Sequence, residues 1–402
     1  MMDNRRSFLK KAALLTGAAG VNTLLPASIQ KALAINPAPG STWQDAEHIV
    51  FLMQENRSFD HCFGTLQGVR GFNDPRAITL PNHNQVWLQT NANGETYVPF
   101  RLDMHRTKAT WMGGLPHSWT DQVDARNKGR YDQWLIAKQY GGREFKDLPM
   151  TMGYYTREDI PFYYALADAF TVCDQHFCSS LTGTTPNRLY FWTGKLREHE
   201  QAKARVRNSD TDYDTNASWT SFPERLEQNG VSWRIYQNEL SVGAGFTAEQ
   251  DAWLANFTDN PIEWFSQYHV KLSPGYIAYL QKAPQLVAAE IEQLQGRLKS
   301  AEGKKAEALQ KQIDRQKQYL ERVTREQKIY TRERYEQLPA FEKGLHDRAF
   351  TTNRNDPFYH QLTTLDYREG NVKRSLTIPK GDILHQFRKE VGEGRLPTVS
   401  WL

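Results

Sequence analysis

A run of apolar residues, Ile49-Val50-Phe51-Leu52-Met53, stops abruptly at Gln54-Glu55-Asn56-Arg57-Ser58-Phe59-Asp60-His61. A short, continuous apolar run bounded by polar residues is the pattern of a strand buried on both faces, as in a parallel sheet. Ligands of open α/β sheets bind beyond the carboxyl ends of such strands, so a carboxylate and an amide arriving at this junction mark a candidate site. A second junction repeats the pattern, with the apolar segment Ala169-Phe170-Thr171-Val172-Cys173 leading to Cys178-Ser179-Ser180-Leu181-Thr182-Gly183-Thr184-Thr185-Pro186-Asn187-Arg188. The two junctions are expected to converge. Later, Ser221 to Gly230 reads as a helix closed by Asn229-Gly230, followed by the strand Val231 to Tyr236. Such αβ units in series predict an α/β fold, a three-layer sandwich whose mainly parallel central sheet is covered on both faces.

Around these elements, Asp74 to Phe100 reads as β-rich decoration with Asn and Gly turns. Helical spacing returns at 131–139 and 162–169, the latter with Pro161 suited to its first turn. Residues 284–338 differ in kind. Leu286, Ile291, Leu294 and Leu298 form one apolar stripe and Leu309, Ile313, Leu320, Val323 and Tyr330 another, with Gly303 between and charged residues elsewhere. That pattern predicts an antiparallel helical-hairpin insertion with a solvated outer face and no chemistry of its own. Gly394 to Leu402 reads as a turn and a strand with no polar junction after it, so the chain is expected to be truncated at its C-terminus.

The N-terminus places Arg5-Arg6 before an apolar stretch, Ala12 to Leu25, and then Ala32-Leu33-Ala34. Paired arginines, an apolar middle and small residues in that order read as a twin-arginine signal peptide over residues 1–34, with a mature chain beginning near Ile35. The apolar stretch is too short for a lasting membrane span. The expected partner is therefore the Tat export machinery and the expected location periplasmic or secreted. This segment carries five basic side chains against one acidic, a surplus equal to the whole formal charge of +4. The remainder is formally neutral and offers no overall basic field for nucleic acid or anionic membrane. Three cysteines, Cys62, Cys173 and Cys178, allow at most one disulfide, lack zinc-ligand spacing and require neither.

The residues at the two junctions suit phosphate-ester chemistry. Glu55 offers a divalent metal ion a hard anionic oxygen, and Asn56 adds a carbonyl ligand or a donor to a phosphate oxygen, provided a turn lets both face one cleft. Thr184 lies just ahead of Pro186, at the start of a helix predicted over Asn187 to Gly194, where free N–H groups and the helix dipole attract anions. Its hydroxyl needs activation to act as a nucleophile. His117, in Leu115-Pro116-His117-Ser118-Trp119, is a candidate to protonate a leaving oxygen. Taken alone, each of these residues also has an ordinary structural role as cap, turn or packed imidazole.

Gln54 to His61 with Phe63-Gly64 resembles the leading motif of the bacterial phospholipase C and acid phosphatase family, relatives of the alkaline-phosphatase superfamily. Thr182 to Arg188 resembles its second motif, and 219–226 with 233–236 also fits, so the similarity covers most of residues 45–402. The resemblance implies an alkaline-phosphatase-like fold, with residues 35–402 forming the N-terminal part of a phosphoesterase catalytic domain. It places the nucleophile on Thr184, the metal-ligand pair on Glu55 and Asn56, and a phosphate-contacting or site-shaping role on Asn187. Further acidic metal ligands are expected beyond residue 402. The implied activity is metal-assisted cleavage of phosphatidylcholine-type phospholipids through a phospho-threonine intermediate. A broad acid phosphatase and a non-catalytic binder of phosphorylated head groups are the alternatives. Trp111, Trp119, Trp134, Tyr154 and Tyr155, clustered ahead of the second motif, are available to hold a choline group or to pack the rim.

Overall fold

The computed structural model describes residues 25–104, 106–107, 113–142, 145, 148–214, 216–256, 259–369 and 371–402. Arg5-Arg6 and most of the expected signal peptide lie outside the described residues, as does Trp111. The chain forms two compact units, one comprising residues up to Asp45 together with Gln54–Asn187, the other Ala46–Met53 together with Arg188–Leu402.

The second unit is built on four strands: β1 (Ile49–Phe51), β2 (Trp233–Gln237), β3 (Thr351–Thr352) and β4 (Val399–Trp401). They pair in the order β1-β4-β2-β3, every pair parallel. Alternation along β2 explains the layering. Trp233 and Ile235 point into a core shared with Leu189, Trp192, Phe265 and Leu345. Trp401 of β4 stacks there on Trp192 and Phe51, with ring centroids 4.8 and 5.7 Å apart. Arg234 and Tyr236 point to the opposite face, where both bond Glu390 on the helix His385–Gly392. The parallel sheet is thus covered on both sides, as the αβ pattern predicted. The helix ahead of β2 runs Phe222–Gln228, with Ser221 and Glu224 forming a reciprocal capping box.

β1 departs from its expected character. It is three residues long and sits at the edge of the described sheet, with Ile49 and Val50 45% and 41% exposed. Only Phe51 reaches the core, because an edge strand has a neighbour on one side alone.

The helical hairpin is present as Ala283–Leu298 and Gly303–Ile329. Its seam is Val287, Ile291 and Leu294 against Leu309 and Ile313. Leu286 is 57% exposed, because Val287 rather than Leu286 continues the four-then-three spacing of Ile291 and Leu294. The far part of the longer helix is tied to the unit's core by Val323 and by buried Glu326, which takes Lys271 Nζ at 2.8 Å and the Tyr276 hydroxyl.

In the first unit, Ala169 to Cys173 is not a strand. Ala169 ends the helix Pro161–Ala169, Phe170 caps it, and Val172 docks on Leu66 and Tyr164 as a packed loop without a ladder partner. The helix expected over 131–139 contracts to Trp134–Ala137, since Tyr131 has a left-handed backbone, φ 57°. The β-rich decoration amounts to two-residue strands, Gln89–Thr90 antiparallel to Thr96–Tyr97, and Phe100–Arg101 parallel to Gly153–Tyr154. Ala27–Ala34 is helical and seats Ile29 on Ala165 and Ala169. All three cysteines are free thiols. Among the described residues, no helix is long and apolar enough to cross a membrane.

Candidate active site

The first junction turns where its chemistry requires. Asn56 has φ 66°, a left-handed conformation that asparagine tolerates better than most residues, and so the chain bends at once after Glu55. Both residues line a cleft of about 700 Å³ in the first unit. Tyr163 donates its hydroxyl hydrogen to Gln54 Oε1 at 2.9 Å, bracing the start of the bend. Ser58 caps the short helix Phe59–Phe63 by accepting from the His61 N–H.

The second junction supplies the opposing wall. The helix that follows is Thr184–Thr193, three residues earlier than predicted, with Thr184 as its first residue and Pro186 in its first turn. The loop before it is held by one side chain. Asn187 Oδ1 accepts from Ser180 N at 2.9 Å, while Nδ2 donates to Ser180 O, Thr182 O and Gly183 O at 3.2, 2.5 and 2.9 Å. Gly183, with φ 43°, makes the last tight step. The Asn187 amide is therefore committed to shaping the loop.

The two junctions meet. Thr184 Oγ1 donates to Glu55 Oε1 at 3.2 Å across 129 positions of sequence. Asn56, Thr184, Asn187 and His117 line the same cleft. The exposed His117 ring bonds Leu115 O through Nδ1 at 2.5 Å, so Nδ1 carries the hydrogen and Nε2 is the nitrogen left to exchange a proton. Of the aromatic residues grouped ahead of the second motif, Trp134 and Tyr155 line the cleft; Tyr154 packs on Phe72 instead, ring centroids 5.3 Å apart.

Three further lining residues carry no role in the sequence reading. His61 stands inside the leading motif, and its place one turn from the Glu55-Asn56 bend is the one signal for it. Its Nδ1 donates to Gly153 O at 2.7 Å, its ring lies 4.7 Å from Tyr155, and burial holds its pKa below the ordinary value, with Arg57 adding to the effect and the Gly153 bond opposing it. The Asp60 carboxyl is pushed up by burial. Lys138 gives no sequence signal at all; it stands far from both motifs and is 5% exposed.

The depressed His61 has a consequence for stability. Its unfolded form binds a proton more readily than its folded form, so its contribution to stability is present above the unfolded value near 6.5 and is lost as the pH falls through the lower folded value. The urea midpoint is expected to fall between about pH 7.5 and 5.5, and to fall less in His61→Gln; parallel urea titrations at the two pH values measure this.

Glu55, Asn56 and Thr184 present a carboxylate, an amide carbonyl and a hydroxyl, hard oxygen donors suited to a divalent cation of the magnesium or calcium kind. Among the described residues, no cluster of three His, Cys, Asp or Glu side chains stands ready as a complete set. The residues present fit part of a cation site.

A family model described as "Phosphoesterase family" matches residues 46–302. The chain is 43% identical over 271 residues to a non-hemolytic phospholipase C of Pseudomonas aeruginosa, an alignment covering 66% of this chain and 36% of that protein. It is 43% identical over 286 residues to a non-hemolytic phospholipase C of Burkholderia pseudomallei, covering 69% and 38%. It is 41% identical over 243 residues to phospholipase C B of Mycobacterium tuberculosis, covering 59% and 46%. The chain thus spans less than half the length of these relatives.

Proposed function

Because the chain belongs to the phosphoesterase family, we propose that its cleft is the nucleophile-bearing part of a phospholipase C site that splits phosphatidylcholine-type lipids into diacylglycerol and a phosphorylated head group. The hydrogen bond from Thr184 Oγ1 to Glu55 Oε1 carries this reading. An unassisted threonine hydroxyl is a poor nucleophile, and here its proton is aimed at a carboxylate while its oxygen heads a ten-residue helix. Oγ1 attacks phosphorus in line, the alkoxide leaves, and a phospho-threonine forms that water then hydrolyses. N–H groups at the helix start bind the equatorial oxygens as charge gathers on them. His117 Nε2, in its protonated state, gives its proton to the departing oxygen. Asn187 keeps the loop below Thr184 in register. Glu55 and Asn56 would hold a divalent cation, which when bound supplies charge neutralisation for the phosphoryl group. The relatives named phospholipase C support the lipid reading. The expected twin-arginine leader would deliver the enzyme through the Tat machinery to a periplasmic or secreted location, where it meets membrane surfaces through its substrate.

Phosphatidylcholine vesicles and p-nitrophenyl phosphate, assayed side by side with and without a chelator, test the proposal. The expected result is diacylglycerol release from vesicles exceeding p-nitrophenol release, with both lost on chelation and restored by added divalent ion. Hydrolysis of the monoester alone indicates an acid phosphatase. Head-group binding without turnover indicates a non-catalytic binder.

A further inference from the structure

Lys138 is buried in the wall of the cleft and, among the described residues, has no carboxylate in ion-pair contact. It follows the helix Trp134–Ala137, is 5% exposed, and lines the cleft with Gln122, Trp134 and the 113–117 segment. Its Nζ donates to Pro116 O at 2.7 Å and to Gln122 Oε1 at 2.8 Å, both neutral acceptors. An ammonium has three donors, so two are accounted for by these bonds. The acid acting on it, Asp121, is spent in a capping box, accepting from Ser118 N at 2.8 Å. Among the described residues no ion pair includes Lys138, although buried lysines are rarely left uncompensated. Burial accordingly holds its pKa below the usual lysine value, with Asp121 pulling only part of the way back.

A buried, incompletely compensated cation is costly in an empty cleft and favourable once an anion enters. We propose that Lys138 is an anion-binding residue of the cleft, its third N–H and its charge completing the binding of a phosphate group. The same side chain fixes Pro116 O, next to His117, so it also holds the segment that carries the candidate proton donor. This inference rests on the phosphate-ester reading of the cleft and adds to it a cation that neither motif contains.

Inorganic phosphate is the probe, titrated calorimetrically into the chain and into Lys138→Met, Lys138→Arg and Thr184→Ala. Lys138→Met is expected to weaken phosphate binding at least about tenfold, Lys138→Arg by less than about threefold, the charge being retained, and Thr184→Ala only slightly. Unchanged binding by Lys138→Met, with wild-type binding intact, overturns the role of Lys138 and leaves the phosphate cleft standing. No binding by the wild-type chain at millimolar phosphate overturns the cleft reading and Lys138 with it. Should Lys138→Met fold poorly, ¹⁵N labelling of the wild-type lysine ammonium groups keeps the question open to measurement. The Lys138 Nζ resonance and its titration are expected to move upward in pH on phosphate saturation, and a resonance indifferent to phosphate rejects the proposal.

Discussion

Replacing Thr184 by alanine is expected to lower phosphate-ester turnover by a factor of at least about a thousand, because the proposed covalent route closes once the hydroxyl that faces Glu55 at this helix start is gone. A loss of that size corresponds to roughly 4 kcal/mol of transition-state stabilisation. The fold should survive. The Thr184 hydroxyl bonds exposed Glu55, where water can replace it, and alanine is an excellent residue for the first turn of a helix. Circular dichroism and a melting curve close to wild type, together with the collapsed rate, assign the loss to chemistry. Thr184→Ser is the positive control, since it returns the hydroxyl without the methyl and should restore much of the rate. Turnover by Thr184→Ala near the wild-type level removes Thr184 from the mechanism and leaves Glu55 without the partner on which the proposal turns.

The two polar junctions were legible in the sequence because they are local. Glu55 and Asn56 follow an apolar run directly, and Thr184 stands two residues ahead of a proline that suits the first turn of a helix. Their convergence was an expectation, and hydrogen bonding across 129 positions bears it out. The parallel sheet was legible for a similar reason: helix, Asn-Gly stop and aromatic strand lie in sequence around Gly230. Apolar runs misled where the same hydrophobicity serves two geometries. Ala169 to Cys173 is a helix end and a packed loop, and β1 is an edge strand with exposed Ile49 and Val50, because apolar character reports affinity for a core and not the ladder that delivers it. Lys138 was invisible for a different reason. A lysine between Ala137 and Gln139 at the end of a short helix looks solvated, and only the folding of 113–117 and Gln122 around it creates a buried cation.

Asn187 offers the second large effect, one that separates shaping the site from touching the substrate. Its amide satisfies Ser180 N–H and reaches three carbonyls of the loop ahead of Thr184. Alanine at 187 leaves these groups to water or to nothing, at a cost of about 1–3 kcal/mol for each that stays buried. Because Thr182 and Asn187 itself are poorly exposed while Leu181 is 63% exposed, part of the loop can hydrate, and a net loss of roughly 3 kcal/mol is expected. The urea midpoint should fall accordingly. Turnover should drop by about a hundredfold, the penalty for displacing a reacting group by an ångström or so. Asn187→Asp is the sharper case: it keeps the acceptor for Ser180 N–H but sets a carboxylate against the carbonyls of Ser180, Thr182 and Gly183. It should destabilise at least as much as alanine at neutral pH and recover on acidification, when the protonated carboxyl can again donate. If Asn187 instead served mainly as a phosphate contact, both variants would keep the wild-type urea midpoint and show their effect in KM alone.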